Sequence, residues 1–443
     1  MSVAALERLR AGRRPPQADG VTVLTVYLIA LTCIPSRLVL SPLGGAGSPA
    51  GVVGLGCLAW WIWSRAQRSE PDPDGFQPVR WAFILMAFAF SASFIAAMTR
   101  PIAGEEFSGA QLGMVLVAGW GGVLLVAHDG IPSLERLYVL LRRVVAAGGA
   151  MATLGIAQFV TGQPLVDGIS IPGLSSNHTM FGLTEREGFT RPSGMATHPI
   201  EYGAVITMIL PLALALAFSD TSRGALRRWF PVLALAISVP LSISRSALLS
   251  AVVGCLVIIL SWPPAARRIA AAGAAVMTVG VYITVPGMLG SLLGLFTGIG
   301  GDSSALSRTG SYPIAFEFVE KSPLFGRGFS TFLPKYRILD NQFLGLLIEV
   351  GIVGLAAFVA LIVTALVCVL RTRRRVGDGL PRQAAQGLAA AVAAGAASLA
   401  VFDGLSFPMS AGLFFLMLGM AGAAVRLSRH EAAVLHSDVS LEV

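Results

Sequence analysis

Charge is scarce in this sequence of 443 residues. Asp, Glu, Lys and Arg make up 13% of the chain, hydrophobic residues make up 55%, and the mean hydropathy is +0.74. So few charges cannot cover the surface of a water-soluble protein of this length, which excludes a soluble enzyme or binding module. The composition is typical of a polytopic membrane protein.

Cysteine, histidine and lysine are also rare. All four cysteines lie within apolar segments, which excludes a disulfide framework, and the five histidines lack the spacing of metal ligands. We therefore expect no metal and no cofactor. The basic residues cluster between apolar segments, where orientation in the membrane explains them, so we also expect no nucleic acid partner.

Apolar runs of about 17 to 25 residues recur along the chain, and each can cross a hydrocarbon layer of ~30 Å as a helix. They predict an all-α integral membrane protein with about 12 transmembrane helices, forming a single polytopic domain over residues 1–443. The predicted spans are 21–40, 50–64, 81–98, 109–127, 137–160, 200–218, 229–241, 246–262, 269–286, 341–370, 385–402 and 409–425.

The distribution of basic residues predicts the orientation of these spans. Sorting the 32 Lys and Arg residues over this arrangement puts 22 on one side and ten on the other. Cytoplasmic loops carry the excess of positive charge, so both termini, including the tail 427–443, should be cytoplasmic in the plasma (inner) membrane. Two long connections, 161–199 and 287–340, then lie on the extracytoplasmic side, the second just before the tenth span.

The long outer loop 287–340 carries a helical pattern. Tyr312, Ala315, Phe316 and Val319 recur at the spacing of one helix face, which predicts a short amphipathic helix on the membrane surface. Loops of this length in a compact protein are usually functional or disordered, and the aromatics, Gly-Pro turns and charges of both signs in this one favour an ordered loop.

Three arginines lie at or beside the predicted outer ends of spans, flanked by Ser, Gly or Pro: Arg191, Arg245 and Arg308. Guanidinium groups that converge with backbone N–H groups at helix starts suit a diphosphate, which arginine binds bidentately. The alternative for each is a structural ion pair with an acid, Glu201, Asp340 or Glu349.

Candidates for a general base lie at two helix starts. Asp340 and Asn341 stand where the long loop enters the tenth span, and a carboxylate there could take a proton from a hydroxyl. His198 and Glu201 share one helical face at the start of the sixth span. The alternative for His198 is a hydrogen-bonded residue at a helix end, and for a buried acid a structural carboxylate.

Four segments carry a family resemblance through their order along the chain: FTRPSGMATHPIEYGAVITMILPLALAL, SISRSALLSAVVG, SRTGSYPIAFEFVEKSPLFGRGFSTF and DNQFLGLLIEVGIVGL. With twelve spans and the long outer loop, they make the chain similar to the O-antigen ligase and O-antigen polymerase superfamily of bacterial membrane glycosyltransferases. The resemblance implies that superfamily's helical fold and glycan transfer outside the membrane, from a polyprenyl diphosphate-linked glycan donor to the hydroxyl of a glycan or glycolipid acceptor. It also implies that Arg191, Arg245 and Arg308 hold the diphosphate.

One position departs from the family pattern. The ligases have a His-Asn pair at the loop-to-helix junction, where this chain has Asp340 and Asn341. An aspartate with an ordinary pKa near 4 is a weaker base than histidine, which leaves Asp340, His198 and Glu201 as alternatives for the base.

The sequence therefore predicts two sets of site residues. The predicted catalytic residues are Asp340, Arg308, Arg191 and Arg245, and the predicted substrate-binding residues are Asn341, His198, Glu201 and Arg327. An alternative function is a transporter or flippase of lipid-linked oligosaccharide. Charges at the outer ends of spans, and no clear internal repeat, favour the enzyme.

Overall fold

The computed structural model of the protein describes residues 19–67, 75–177, 183–186, 188–288, 290 and 310–441. In these residues there are thirteen α-helices: α1 (Gly20–Thr32), α2 (Pro49–Ala66), α3 (Pro78–Met98), α4 (Gly104–Asp129), α5 (Leu134–Thr161), α6 (Pro199–Ser219), α7 (Ala225–Leu241), α8 (Arg245–Ile259), α9 (Pro264–Thr284), α10 (Ser311–Lys321), α11 (Gln342–Arg375), α12 (Leu380–Leu399) and α13 (Pro408–Leu441). Short 3-10 helices lie at Ser41–Gly47 and Gly404–Ser406.

Proline and capping serines mark where many of these helices begin. Proline is the first residue of α2, α3, α6, α9 and α13, where its missing N–H costs no helical hydrogen bond and its φ suits the helix. Ser48, Ser133 and Ser244 each accept a hydrogen bond from the backbone N–H three residues on, which caps α2, α5 and α8. Helix starts are therefore set by local sequence.

The mostly helical architecture predicted from the sequence is confirmed. Each of the twelve predicted spans overlaps one helix, and α10 is the additional one. Seven described helices are long and apolar enough to cross a membrane, namely α3, α4, α5, α6, α9, α11 and α13, while α1 and α8 are shorter apolar helices. Crossing by all twelve stays a prediction.

Helices α6 and α13 form the centre of the bundle. Their most apolar stretches are 83% and 94% buried, whereas the corresponding stretch of α9 is not buried at all. Helix α6 packs against α7, α8 and α12, and α13 packs against α4 and α11. The starts of α6 and α13 are thus fixed at the centre of one end of the bundle.

Helix α11 is broken near its start. Gly351 has φ 64° and ψ −170°, which no residue within a continuous helix adopts. Ile352 and Val353 donate their N–H groups to the carbonyls of Pro323 and Leu324, at 2.9 and 3.1 Å. The turn after α10 therefore satisfies backbone groups that the break leaves free, as backbone within a membrane protein requires.

Glycine is required at this break. A Cβ atom on Gly351 would lie 2.3 Å from the Leu324 carbonyl oxygen, too close for any side chain. The predicted tenth span thus contains a break that its hydropathy does not reveal.

The amphipathic helix α10 turns only part of its predicted apolar face toward the bundle. Ala315 is fully buried, and Val319 packs beside it. Tyr312 and Phe316 remain 45% and 50% exposed. An aromatic face left open in this way suits a helix at a membrane surface.

Two small two-stranded sheets include described residues of the first long connection. Strand β1 (Leu38–Leu40) pairs antiparallel with β2 (Leu174–Ser176), and β3 (Thr184–Arg186) pairs with β4 (Phe189–Arg191). These strands and α10 lie at one end of the bundle, which we call the loop end. The other end, where α6 finishes at Ser219, we call the opposite end.

Candidate active site

A cavity of about 260 Å³ opens at the loop end, between α4, the residues that follow α10, the start of α11 and the Gly404–Ser406 turn. Its polar lining consists mainly of Arg337, Asn341, Glu349 and Asp403. We call it the carboxylate cavity. It brings residues from distant parts of the sequence together beside the predicted Asp340.

Small residues of α4 seat one wall of this cavity. A Cβ atom on Gly109 would lie 2.3 Å from the Ser330 carbonyl oxygen, and one on Gly113 would lie 2.8 Å from the Phe329 ring. The loop therefore lies directly on the helix backbone. Phe329 also packs against Phe90, with ring centroids 5.1 Å apart.

Glu349 is held by the loop that crosses it. Its Oε1 accepts a hydrogen bond from the Phe332 N–H at 3.1 Å, and the Ser330 N–H also donates to this carboxylate. Ser330 has φ 64°, an uncommon conformation for a residue other than glycine. Backbone strain of this kind persists where the surrounding structure fixes it, often at functional sites. The loop thus fixes the position of Glu349 in the cavity wall.

Asp403 is the acid in the cavity that sequence reasoning missed. Burial, with a smaller contribution from the charge of the nearby Asp340 carboxylate, raises its pKa to about 7. Asp340 itself is partly buried at the end of the loop. A signal was present in VFDGLSFP, where a polar turn with an acid separates two apolar segments on the predicted outer side.

Amide side chains at the start of α11 fix the remaining wall. Asn341 Oδ1 accepts a hydrogen bond from the Leu344 N–H at 3.1 Å and so caps the helix. Gln342 Oε1 accepts one from the Leu405 N–H at 2.9 Å. The turn that follows Asp403 is therefore tied to the start of α11.

Arg191 ends strand β4 and is buried, with 7% of its surface exposed. Its Nε donates to the Ser242 carbonyl at 3.2 Å, while its buried Nη2 has no hydrogen bond partner among the described residues. Burial lowers its pKa to about 10, and the charge of Arg186 acts in the same direction. A bound anion would relieve this cost, because an opposite charge stabilises a desolvated cation.

His198 lies between Arg191 and the turn that carries Asp403. Its ring centroid is 6.2 Å from that of Phe407, and burial followed by the charge of Arg191 lowers its pKa to about 4. His198 is therefore neutral at pH 7. Its Nδ1 accepts a hydrogen bond from the Ile200 N–H at 3.2 Å, which leaves the ring proton on Nε2. In this tautomer Nε2 donates and cannot act as a base.

Glu201 joins the two central helices. It is fully buried, and its carboxylate accepts hydrogen bonds from Thr197 N–H and Oγ1 at 2.9 and 2.8 Å. It also accepts from the N–H groups of Met409 and Ser410 at 2.7 and 3.4 Å. These two donors belong to the first turn of α13, so Glu201 caps that helix from α6.

Arg327 lies in a closed ion-pair cluster. Its Nη2 donates to Glu106 Oε1 at 2.7 Å, and its guanidinium lies 4.5 Å from the centroid of the Phe318 ring. Glu106 also accepts from Arg100 at 2.6 Å and from the Tyr336 hydroxyl at 2.5 Å. We call this set the Glu106 cluster. Arg327 thus forms a structural ion pair, the kind of role that the sequence left as the alternative for Arg191, Arg245 and Arg308.

Of the other two arginines predicted to hold the diphosphate, Arg245 lies within the described residues. Arg245 is the first residue of α8, three residues after Ser242, and follows Ile243, whose φ of 45° is rare for a β-branched side chain. Arg308 lies outside the described residues. The structure therefore brings Arg191 and His198 together near the start of α6, and Asp340 and Asn341 together at the start of α11. Glu201 ties the starts of α6 and α13 to each other, and Arg327 lies in the Glu106 cluster.

An apolar groove of about 570 Å³ lies beside the strand that ends in Arg191. It is lined by side chains of α5, α7 and α9, together with Phe189 and Thr190 of the strand that ends in Arg191. Because α9 is unburied along its most apolar stretch, this groove lies on the outer surface of the bundle. Its lining suits the hydrocarbon chain of a lipid.

The fold and this site define an integral membrane protein with a polar site at one end of its helical bundle. Residues 230–359 match a family model described as O-Antigen ligase, and this match confirms the predicted resemblance to that superfamily. The matched segment contains Arg245, Asp340, Asn341 and Glu349 but ends before Asp403. No curated protein matches the chain.

Proposed function

We propose that this protein transfers a glycan from a polyprenyl diphosphate-linked donor to an acceptor hydroxyl during surface polysaccharide assembly, as a ligase or a polymerase. The observation that carries the proposal is the buried Arg191 guanidinium, whose Nη2 has no partner in the described part of the chain, at the end of a strand that lines an apolar groove at the bundle surface. The O-antigen ligase match over 230–359 supports the class of reaction.

The donor would bind with its two chemical parts separated. The diphosphate would lie against Arg191. Arg245, three residues after the Ser242 carbonyl that Arg191 contacts, and Arg308 are the other two arginines proposed from the sequence. Arginine is suited to this task because its fork of donors matches phosphate oxygens. The polyprenyl chain would leave the site along the apolar groove, so that it stays in contact with lipid.

The acceptor would occupy the carboxylate cavity. Asp403 is the acid whose pKa of about 7 suits a general base at neutral pH, and Asp340 lies close enough to maintain it. In this proposal Asp340 is no longer the base, and its charge instead helps to raise the pKa of Asp403. Asn341 lines the same cavity, and because its Oδ1 caps α11 its amide NH₂ group is left to orient the acceptor.

The proposed reaction is a displacement at the anomeric carbon of the donor. The acceptor oxygen forms a bond to that carbon, its proton passes to the Asp403 carboxylate, and the bond from carbon to the diphosphate oxygen breaks. The polyprenyl diphosphate leaves with the negative charge that Arg191 and its neighbours stabilise. His198, neutral with its proton on Nε2, would donate a hydrogen bond to substrate between the diphosphate at Arg191 and the acceptor in the carboxylate cavity.

We also propose that the site faces the extracytoplasmic side, with both termini cytoplasmic. The excess of basic residues at the opposite end of the predicted spans supports this orientation. Labelling of single cysteines introduced at Glu185 and at Arg374 in intact cells tests it. A membrane-impermeant maleimide should label only the first, and labelling of the second instead would reverse the orientation.

A transporter of lipid-linked oligosaccharide is the second candidate, and the broken helix at Gly351 favours it because broken helices occur at transporter binding sites. Reconstitution into liposomes separates the two. The enzyme yields a glycan joined to the acceptor only when the acceptor is present on the side of the site. Unchanged donor that crosses the bilayer without a new glycosidic bond would support the transporter and contradict our proposal.

The proposed arginines can be tested in the same assay. Replacing Arg245 or Arg308 with Ala should abolish glycan transfer without lowering the abundance of the protein in the membrane. Full activity in both variants would contradict their role in holding the diphosphate.

A further inference from the structure

A second polar site lies at the opposite end of the bundle, far from the carboxylate cavity. It is a pocket of about 300 Å³ between α5, the end of α6 and the start of α7. Four arginines contribute to its lining, Arg142, Arg223, Arg227 and Arg228. The rest of the wall is mainly apolar and includes Ala150, Phe230 and Pro231.

The positive charge of this pocket exceeds its negative charge. Asp220 is occupied by Arg142, whose Nε and Nη2 donate to its two oxygens at 2.7 and 2.8 Å. Burial acts to raise the pKa of Asp220, but the hydrogen bonds from Arg142 and Ser222, together with the charges of Arg142 and Arg223, outweigh it and the pKa is lowered. Asp220 is thus one ionised carboxylate among four arginines, and the pocket keeps a net positive charge.

No described acid forms a salt bridge with Arg223, Arg227 or Arg228, although the charge of Arg223 acts on Asp220. Arg228 Nη1 donates to the Ala217 carbonyl at 2.8 Å, and its buried Nε has no hydrogen bond partner there. Arg223 and Arg227 form no ion pair with a described acid. A buried N–H with no acceptor beside two further cations indicates that an anion would be stabilised here.

The start of α7 adds backbone donors to the same place. Helix α7 spans 17 residues, and Gly224 precedes it without a side chain that caps the first turn. The free N–H groups of a first turn, and the positive end of the helix dipole, favour an anionic group. Arg227 and Arg228 belong to this turn.

The apolar wall identifies the kind of anion. Phe230 is 49% exposed at the edge of the pocket, and Leu226 and Leu233 of the same helix are 79% and 59% exposed. Exposed apolar side chains of this size beside a cluster of cations match the boundary between lipid headgroups and acyl chains. A free anion would use the cations but would gain nothing from this wall.

We propose that the pocket is a binding site for an anionic phospholipid. The headgroup phosphate contacts Arg223, Arg227, the Arg228 Nε–H and the start of α7, and one acyl chain lies along Pro231 and Phe230. In the proposed orientation this lipid belongs to the cytoplasmic leaflet. The bound lipid holds α5, α6 and α7 together at the opposite end of the bundle from the carboxylate cavity.

Native mass spectrometry of the full chain in detergent tests the proposal, by titration with phosphatidylglycerol and with phosphatidylethanolamine of the same acyl chains. The protein should bind the anionic lipid preferentially. The double variant Arg223→Gln, Arg227→Gln should bind it roughly 30-fold more weakly, about 5-fold for each arginine removed. The matched control is Arg374→Gln, Arg375→Gln, which removes two exposed arginines at the same end of the bundle, at the end of α11.

The outcomes separate the alternatives. Equal weakening in both double variants would mean a general attraction of charge and would overturn the site. Inorganic phosphate, added as a competitor, should displace the lipid only weakly because it lacks acyl chains. Displacement at comparable concentrations would overturn the lipid assignment in favour of a free anion, and equal binding of the two lipids would overturn the requirement for negative charge.

Discussion

Arg191 and Arg327 lie at the same end of the bundle, and both were predicted to contact substrate, yet their surroundings differ. Arg327 donates to Glu106, a carboxylate that also accepts from Arg100 and Tyr336, and it stacks on an aromatic ring. Arg191 is more deeply buried, contacts only a backbone carbonyl through Nε and leaves Nη2 without a partner among the described residues. A carboxylate neutralises the charge of Arg327, and no described carboxylate pairs with Arg191.

The difference shows what a structural arginine and a ligand-binding arginine have in common and what separates them. Both require desolvation, which is costly for a charged group. In the Glu106 cluster a carboxylate from the protein offsets the cost. At Arg191 no described carboxylate offsets the cost, so an anion that binds there would stabilise the desolvated charge. The same comparison predicts opposite effects of mutation in the two regions, on activity in one and on stability in the other.

The largest effect is expected from Arg191→Ala. Loss of a donor that stabilises the departing diphosphate should lower the rate of glycan transfer about 10³-fold, measured with reconstituted protein and lipid-linked donor. The thermal unfolding midpoint should not fall, because removing a buried charge without an ionic partner relieves desolvation. Arg186→Ala is the matched control, since Arg186 belongs to the same hairpin and its charge acts on Arg191. Equal loss in both variants would contradict a specific role of Arg191.

A smaller loss of activity is expected at the carboxylate cavity. Asp403→Asn should lower the rate about 10²-fold, because the amide cannot take the acceptor proton. In the unmodified protein the carboxylate must be ionised to act as the base, so kcat/KM should rise with pH and level off above about 7, where Asp403 is deprotonated. The variant should lose this rise. A pH profile that is the same in both proteins would move the role of base to another residue.

Stability changes should come from the Glu106 cluster. Glu106→Gln leaves Arg100 and Arg327 without their shared carboxylate, which should lower the free energy of unfolding by about 3 to 5 kcal/mol in detergent. Glu105→Gln is the control on the adjacent residue, whose pair with Lys335 is exposed and should contribute little to stability. A large loss in both variants, or in neither, would remove the distinction between the two regions.

Much of this architecture follows from local sequence. Apolar runs located the helices, and prolines such as Pro199 and Pro408 begin two of them. The partners of the charged residues did not follow, because they depend on contacts between distant segments. Glu106 lies 221 residues before Arg327, and Glu201 caps a helix that begins more than 200 residues later.

The candidate site shows the same division. Arg191 and Asn341 could be selected because they stand where polar loops meet apolar segments. Asp403 could not be ranked above other acids, since its burial and its closeness to Asp340 arise only when the starts of α11 and α13 come together. The break at Gly351 also depends on a distant turn that supplies its hydrogen bonds.

The smallest effect tests whether Asn341 acts on the helix or on the substrate. Asn341→Ala removes the cap of α11 and should lower the free energy of unfolding by about 1 kcal/mol. Asn341→Ser keeps a capping oxygen but removes the NH₂ group that lines the cavity, so stability should be retained in thermal unfolding. If the amide orients the acceptor, the KM for the acceptor should still increase in the Ser variant. An unchanged KM would leave Asn341 with the cap alone, and would place it with Arg327 among the residues whose role is structural.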